Sequence, residues 1–329
     1  MGRKVLMTLG LICFLFVMMP AAAFSWNQAT HAYIADRLGA TVGIDNLSQM
    51  WGSTAPDMFN YVFDPALCVG WISDQTQGVD PDSAKKIWSA ASTDKEKSLA
   101  FGFVSHNDSW GADFVAHHSG LRPGYENDGY IIIKARQLLD APIDPANPER
   151  TFGDAFANLE MGPDMALLVA HVITEYAIDI RLGNEVDPLL GRKLAAAARN
   201  ETKRFQPLVV KAYAADYAAN CPGFGGDDQA AANVLTSVEK GHRKDMIFLG
   251  HAISQPEPVA VQMLAEQLAG VLSELELSVP VETLKAAMFS AIGICDDYKA
   301  EIEAAVEFVG KSLEEHEIIH SPKSGGRRN

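Results

Sequence analysis

One stretch of the chain, Phe101–Gly120, constrains its fold and chemistry more than any other. The sequence FGFVSHNDSWGADFVAHHSG has the apolar content of a buried helix, yet it contains three histidines and two aspartates. His106, Asp113 and His117 are spaced seven and then four residues apart, and these offsets return to nearly one helix face. Burying imidazole and carboxylate groups is costly unless something pairs with them. The stretch therefore predicts a metal site whose other ligands come from elsewhere in the chain.

A second predicted helix, Met165–Leu182, also carries candidate ligands. Its sequence, MALLVAHVITEYAIDIRL, is strongly helical and is followed by Gly183. His171 and Glu175 share a face at a spacing that zinc sites often use. Asp179, one turn further on, could orient a ligand histidine. Taken alone, His171 could equally be a core histidine hydrogen-bonded to Glu175, but the histidine-rich stretch elsewhere favours a metal site.

The rest of the pattern predicts an all-α fold. Apolar and polar residues do not alternate for long anywhere, so no extensive sheet is expected. We expect the first helix at Trp26–Leu38, with Thr30 as its cap and Gly39 at its end. Because Asp, Gly and Pro are frequent in Tyr61–Ser83 and Pro142–Arg150, we expect loops there.

The composition divides the chain into four regions. Residues 1–25 are a predicted signal peptide, and residues 26–186 contain all the candidate ligands. Residues 187–318 are rich in Ala, Glu, Lys and Leu, and we expect them to form helices packed on the preceding region. Residues 319–329 are a polar tail that we expect to be flexible.

The N-terminal segment has the pattern of an export signal. A short basic segment precedes the apolar run Val5–Met19, which is too short for a stable membrane-spanning helix. Small residues follow, and they predict cleavage between Ser25 and Trp26. We therefore expect a secreted or periplasmic protein, with an uncleaved membrane anchor as the alternative. Cys68, Cys221 and Cys295 would remain, and the sequence does not say which two would pair.

The formal net charge of −15 bears on the partners. Sequence-independent nucleic-acid binding needs basic patches, which an acidic chain is poorly suited to supply. We expect no sequence-specific nucleic-acid binding either. Carboxylates that ligate a metal add to the negative charge as long as the metal is not counted.

Three further residues make the pattern specific. Trp26 would begin the mature chain, His31 follows five residues later, and Asp57 lies in the turn STAPDMF. With the two helices above, these residues resemble the zinc-dependent phospholipase C family, which includes the phospholipase C/D domain of glycosylphosphatidylinositol-specific phospholipase D. The fungal single-strand-specific zinc nucleases are related. The similarity covers roughly Trp26–Gly183 and implies the multi-helix bundle of that family, here with additional C-terminal helices.

The resemblance also implies ligands and a reaction. The implied ligands of one to three Zn²⁺ ions are Trp26, His31, Asp57, His106, Asp113, His117, His171 and Glu175. Trp26 would contribute its free amine and carbonyl, Asp113 would bridge two ions, and His117, His171 and Glu175 would hold a third. Asp57 would ligate a metal or act as general base. The reaction would be hydrolysis of a phosphodiester by metal-activated water, with a phospholipid head group as the expected substrate and peripheral contact with a membrane.

The spacing of the central ligands departs from the family pattern. The family places the histidine and aspartate of its central helix four residues apart, whereas His106 and Asp113 are seven apart. Either the helix is locally distorted or another residue, with Asp108 the nearest, takes part. His117 fits the helix phase better than His118, but the two are only one residue apart, so both stay open as ligands.

A family histidine also has no counterpart. The family has a histidine between the early aspartate and the central helix, but none lies between Asp57 and His106. Cys68, Asp64 or Asp74 could fill that position, or it is vacant.

Other features are assigned no chemistry. We expect surface or cap positions for the remaining histidines, which are His242, His251, His316 and His320. Two rival functions stay open. One is a zinc nuclease or another phosphoesterase on the same fold, and the other is a non-catalytic helical binding protein with a degraded metal site.

Overall fold

The computed structural model describes residues 26–42, 46–60, 62 and 64–319. The predicted signal peptide lies outside the described residues, as does the predicted tail from residue 320 onward, including His320.

Fifteen α-helices build the described part of the chain, and the prediction of an all-α fold is confirmed. The helices are α1 (Gln28–Val42), α2 (Asn46–Thr54), α3 (Val69–Gln77), α4 (Pro81–Ala90), α5 (Asp94–His106), α6 (Ala112–His117), α7 (Tyr130–Asp140), α8 (Phe152–Ala157), α9 (Pro163–Arg181), α10 (Leu190–Asn200), α11 (Thr202–Asn220), α12 (Asp228–Ala252), α13 (Glu257–Glu274), α14 (Val281–Ile294) and α15 (Tyr298–Glu315). Among these described residues, no helix combines the length and the apolarity needed to cross a bilayer.

The central stretch is two helices rather than the single helix predicted. Helix α5 ends at His106 and α6 begins at Ala112. Between them Asn107 leaves helical geometry, and its side-chain oxygen accepts hydrogen bonds from the backbone N–H groups of Ser109 and Trp110 at 2.8 and 3.0 Å. This turn is the reason that ligands seven residues apart still meet in space.

Both predicted loops contain regular structure, so these predictions were wrong. Tyr61–Ser83 includes α3 and the start of α4, because its loop-forming residues cap helices. Gly78 ends α3 in the left-handed region at a φ of 75°, and Asp80 caps α4 through the backbone N–H of Asp82. In the second predicted loop, Pro142–Arg150, the strands β1 (Pro142–Asp144) and β2 (Asn147–Thr151) form a small antiparallel hairpin.

The first helix also differs from its prediction at both ends. Helix α1 passes through Gly39 and ends at Val42. Thr30 lies inside the helix, and its hydroxyl donates to Asp179 at 2.7 Å. Asn27 lies before the helix, where its side-chain oxygen accepts from the N–H of Gln28 at 2.9 Å.

One apolar core runs through residues of both predicted regions. Helix α2 packs against α5 and α10, and α9 packs against α7 and α14. A disulfide between Cys68 and Cys221, with Cα atoms 5.7 Å apart, joins the chain before α3 to the chain after α11. The third cysteine, Cys295, is buried and free.

Candidate metal centre

Five separate elements carry the predicted ligands. Helix α1 carries His31, a 3₁₀ turn at Ala55–Phe59 carries Asp57, and α5 ends on His106. Helix α6 carries Asp113 and His117, and α9 carries His171 and Glu175. All of these residues are buried except His117, which is partly buried. The structure thus gathers acids and imidazoles from distant parts of the sequence into the core, where each needs a partner.

His106 is held so that one ring nitrogen faces two carboxylates. Its Nδ1 lies 3.0 Å from the backbone oxygen of Ser53. A carbonyl oxygen can only accept, so Nδ1 carries a proton and Nε2 is the ring nitrogen left to face the carboxylates. That Nε2 lies 3.5 Å from Oδ1 of Asp57 and 3.7 Å from Oδ2 of Asp113. A histidine held by a backbone carbonyl in this way is the arrangement that metal-ligating histidines usually have.

His31 completes a first group of candidate ligands. Its ring stacks on that of His106 with centroids 4.0 Å apart. One ligand atom each from His31, His106 and Asp113 lies within 4.8 Å of the others. These three buried residues could hold a metal ion.

A second group lies on α6 and α9. The Nε2 atoms of His117 and His171 are 3.3 Å apart, and Oε1 of Glu175 lies 2.7 Å from Nε2 of His171 and 4.0 Å from that of His117. Two nitrogen ligands about 2.0 Å from a tetrahedral zinc ion lie about 3.3 Å apart. The donors of these residues also lie within 4.8 Å of one another and could hold a second ion.

Asp113 lies between the two groups. Its Oδ1 is 3.2 Å from Nδ1 of His117, whereas its Oδ2 faces His106. The resemblance had implied a bridging role for this aspartate, and its position is suited to one. Asp113 and His117 also form a third grouping with Asp108 that could hold a metal ion.

His117 and His118 lie in different surroundings. His118 is half exposed, and its Nε2 donates to Oδ1 of Asp108 at 2.8 Å. This hydrogen bond raises the pKa of His118 above its ordinary value. Only His117 belongs to the groups of candidate ligands among the described residues.

Burial sets the protonation of the cluster. It lowers the pKa of His31 and of His117, and neighbouring imidazoles lower both further. Burial also raises the pKa of Glu175 well above its ordinary value, with the negative charge of Asp57 adding to the effect. His31 and His117 are therefore neutral, which is the form that binds metals.

Asp57 is surrounded by three side-chain amides. Gln28 donates to its Oδ2 at 2.7 Å, and Asn60 and Gln77 each donate to its Oδ1 at 3.0 Å. Burial alone would raise the pKa of Asp57. The charge and hydrogen bond of His106, followed by the hydrogen bond from Gln28, outweigh burial and lower the pKa. Asp57 therefore stays ionised in the core. Sequence reasoning missed the amides, since Gln and Asn occur widely and only the fold brings them together.

Asp179 positions the helix that carries His31. Its carboxylate accepts from the backbone N–H groups of Ala29 and Thr30 at 3.2 and 2.8 Å and from the Thr30 hydroxyl. The expected role was to orient a ligand histidine directly. The structure instead shows Asp179 holding the first turn of α1, one residue before His31.

The residues considered for the missing histidine do not reach Asp57. Cys68 is in the disulfide, which removes its thiolate as a ligand, and Asp64 is exposed. Asp74 is half-buried, and burial followed by the nearby charge of Asp108 raises its pKa. The side chains between Asp57 and His106 that donate to Asp57 are the amides of Asn60 and Gln77.

One histidine that we had placed at the surface is buried. His242 on α12 lies against Trp51, with ring centroids 5.5 Å apart, and its Nε2 is 3.4 Å from the Thr54 hydroxyl. Packing between α12 and the Asp57 turn buries it, which no local sequence signal reveals. His251 is exposed as expected, whereas His316 is half-buried and stacks on Trp110.

Trp26 is fully buried at the start of the described chain. Its ring stacks on Tyr130 with centroids 5.5 Å apart, and the Tyr130 hydroxyl donates to Asp297 at 2.8 Å. The residue two positions later, Gln28, contacts Asp57. A mature chain that begins at Trp26 would thus place its first backbone atoms next to the cluster.

Comparisons with protein-family models, with curated proteins and with solved structures gave no match for this chain.

Proposed function

We propose that this protein is a zinc-dependent phosphodiester hydrolase that acts on phospholipid head groups. The observation that carries the proposal is the meeting of His31, Asp57 and His106 with the α6 and α9 ligands in one buried cluster. Clusters of imidazole and carboxylate with closely spaced donors suit zinc, and two or more ions clamp both the attacking and leaving oxygens of a phosphoryl group.

The donor set fits zinc at both groups. Neutral imidazoles and carboxylates are its usual ligands, and the 3.3 Å separation of the His117 and His171 nitrogens matches the edge of a zinc tetrahedron. Glu175 would give up its proton on binding, since a metal ligand must be deprotonated. Bound zinc would supply Lewis acidity toward the phosphoryl oxygens and lower the pKa of a water molecule to about 7.

Asp57 is the proposed proton acceptor. A carboxylate has about four lone-pair sites, and the amides of Gln28, Asn60 and Gln77 occupy three of them. These bonds fix its orientation and leave one lone-pair site, on Oδ2, that no amide occupies. The surrounding core excludes bulk water and so strengthens every charge interaction at the site.

The disulfide supports export. Disulfides persist in oxidising compartments such as the periplasm or the extracellular medium, and Cys68 and Cys221 are bonded. Together with the N-terminal pattern of residues 1–25, this favours a secreted or periplasmic protein that meets phospholipid at a membrane surface.

The test is phosphodiester hydrolysis by the protein beginning at Trp26. We expect release of the phosphorylated head group from phosphatidylcholine vesicles, loss of turnover with a chelator, and recovery with added zinc. Asp57→Asn should lower kcat by about 100-fold, the smaller end of what a general base contributes, while Asp164→Asn, at an exposed position on α9, should not.

Other outcomes would reject the proposal in distinct ways. Turnover of single-stranded nucleic acid without turnover of phospholipid would select the nuclease alternative. Zinc binding with no turnover of either substrate would select a non-catalytic protein.

A further inference from the structure

An apolar cavity of about 170 Å³ lies beside the metal centre. Its walls come from α9, α12 and α13. Asn27 before α1, Gln28 at the start of α1 and Asn60 after the Asp57 turn complete it. A dry apolar cavity of about 150 Å³ is large enough to hold benzene. This cavity therefore has room for a stretch of hydrocarbon.

The cavity and the metal centre share helix α9. Met165, Val169, Val172 and Tyr176 line the cavity at spacings that place them along one helix stripe. His171 and Glu175, each adjacent in sequence to one of these residues, occupy the neighbouring stripe. The cavity stripe extends about 16 Å along the helix axis. Such an elongated wall suits a linear chain better than a compact ring.

The end of the cavity near the metal centre is polar. Asn27 and Gln28 both line the cavity and are both buried, at 7% and 6% exposure. Within the described residues, Nδ2 of Asn27 and Oε1 of Gln28 have no hydrogen-bond partner, although leaving such groups unsatisfied costs free energy. The Asn27 donor suits an ester carbonyl of a lipid, and the Gln28 acceptor suits a water molecule bound at that junction.

Gln28 connects this polar end to the metal centre. While its Oε1 is unpartnered, its Nε2 donates to Asp57. Asn60, which also lines the cavity, donates to the same carboxylate. A ligand with its phosphate at the metal centre would have the atoms beyond that phosphate at the amides, and an attached chain would follow into the cavity.

The charges on the cavity lining disfavour a free fatty acid. The carboxyl groups that line the cavity belong to Asp245 and Glu274, and Glu274 is exposed. Two acidic groups repel a second carboxylate, but they tolerate a zwitterionic or uncharged lipid.

We propose that this cavity binds one acyl chain of a zwitterionic phospholipid whose ester junction lies at Asn27 and Gln28. The proposal rests on the proposed function for the position of the phosphate, and it assigns to α12 and α13 the task of selecting a substrate with a long chain.

The experiment measures binding, independently of turnover, on the zinc-loaded protein beginning at Trp26. Calorimetric titrations compare dodecylphosphocholine below its micelle concentration with phosphocholine and with dodecanoate. We expect dodecylphosphocholine to bind at least about tenfold more tightly than either of the others. Val172→Trp, which fills the cavity, should remove about tenfold of that preference.

Val259→Trp is the matched control. Val259 is an exposed residue on α13 outside the cavity, so the preference for the dodecyl chain should persist in this variant. If Val172→Trp does not fold by circular dichroism, Val271→Phe, on the α13 wall, takes its place.

The proposal is overturned if phosphocholine binds as tightly as dodecylphosphocholine, or if filling the cavity leaves the preference unchanged. Tighter binding of dodecanoate than of dodecylphosphocholine would also overturn it, in favour of a fatty-acid site. Failure of the proposed function has a different signature, because the protein would then keep chain binding but fail to hydrolyse bis(p-nitrophenyl) phosphate.

Discussion

The Nε2 atoms of His117 and His171 face each other at 3.3 Å inside the core, with Oε1 of Glu175 2.7 Å from the second of them. Burial, followed by the neighbouring His171, lowers the pKa of His117, so its ring is neutral at pH 7. Two nitrogens this close share at most one proton between them. A metal ion between them could accept both nitrogen lone pairs, and the Glu175 carboxylate offers a third donor.

The first prediction concerns metal content. His171→Ala removes a donor from the α6–α9 group and should lower bound zinc by about one ion per chain, measured by mass spectrometry after dialysis. His251→Ala is the matched control, because His251 is exposed on α12. Equal zinc content in the two variants would show that His171 is only a core histidine.

The second prediction concerns the anchoring of α1 by Asp179. Asp179→Ala leaves the N–H groups of Ala29 and Thr30 buried without their acceptor, so it should cost about 1–3 kcal/mol in the free energy of unfolding. It should also weaken zinc binding, because α1 carries His31. Asp164→Ala, at an exposed position on the same helix, should change neither quantity. Destabilisation with unchanged zinc affinity would contradict the positioning role.

The third prediction concerns the disulfide. Cys68 and Cys221 are 153 residues apart in sequence, so reducing the bond releases a long loop in the unfolded chain. We expect a loss of about 4 kcal/mol in urea unfolding. The double variant Cys68→Ala with Cys221→Ala should be insensitive to reductant. If reductant destabilised this variant as much as the native chain, the loss of stability would not come from the Cys68–Cys221 bond.

The fourth prediction concerns pH. Partial burial alone would raise the pKa of Asp297, but hydrogen bonds from Lys134, Tyr125 and Tyr130 outweigh it and hold the pKa below its ordinary value. An acid with a depressed folded-state pKa stabilises the fold above its unfolded-state pKa and loses that contribution as the pH falls. Asp297→Asn should therefore lower stability at pH 7, by about 1 kcal/mol, and flatten the decline in stability below about pH 4.

Urea midpoints across pH measure this effect. Asp296→Asn is the control, because Asp296 is the exposed neighbour of Asp297. Parallel pH profiles for Asp297→Asn and the native chain would count against the network around Asp297.

The sequence predicted best where a segment is uninterrupted and its burial is uniform. The helix predicted at Met165–Leu182 is α9, which runs from Pro163 to Arg181. The composition of Tyr61–Ser83 wrongly predicted a loop, because Gly78 and Asp80 are helix caps there. Gly and Asp are common both in loops and at helix caps, so only the neighbouring residues decide which structure forms.

The sequence could name the residues of the candidate metal centre but not the geometry in which the fold brings them together. Spacing drew attention to His106 and Asp113, yet the turn at Asn107 replaced the single helix that the spacing assumed. The amide of Gln77 and the imidazole of His242 lie near Asp57 through tertiary packing alone. Contacts made between helices so far apart in sequence leave no periodic signal.

Anomalous diffraction at the zinc edge, on crystals of the protein beginning at Trp26, tests the central claim most directly. We predict one anomalous peak among His31, His106 and Asp113, and a second among His117, His171 and Glu175. A zinc-soaked crystal with no peak at either group, or with peaks only at surface histidines such as His251, would contradict the account.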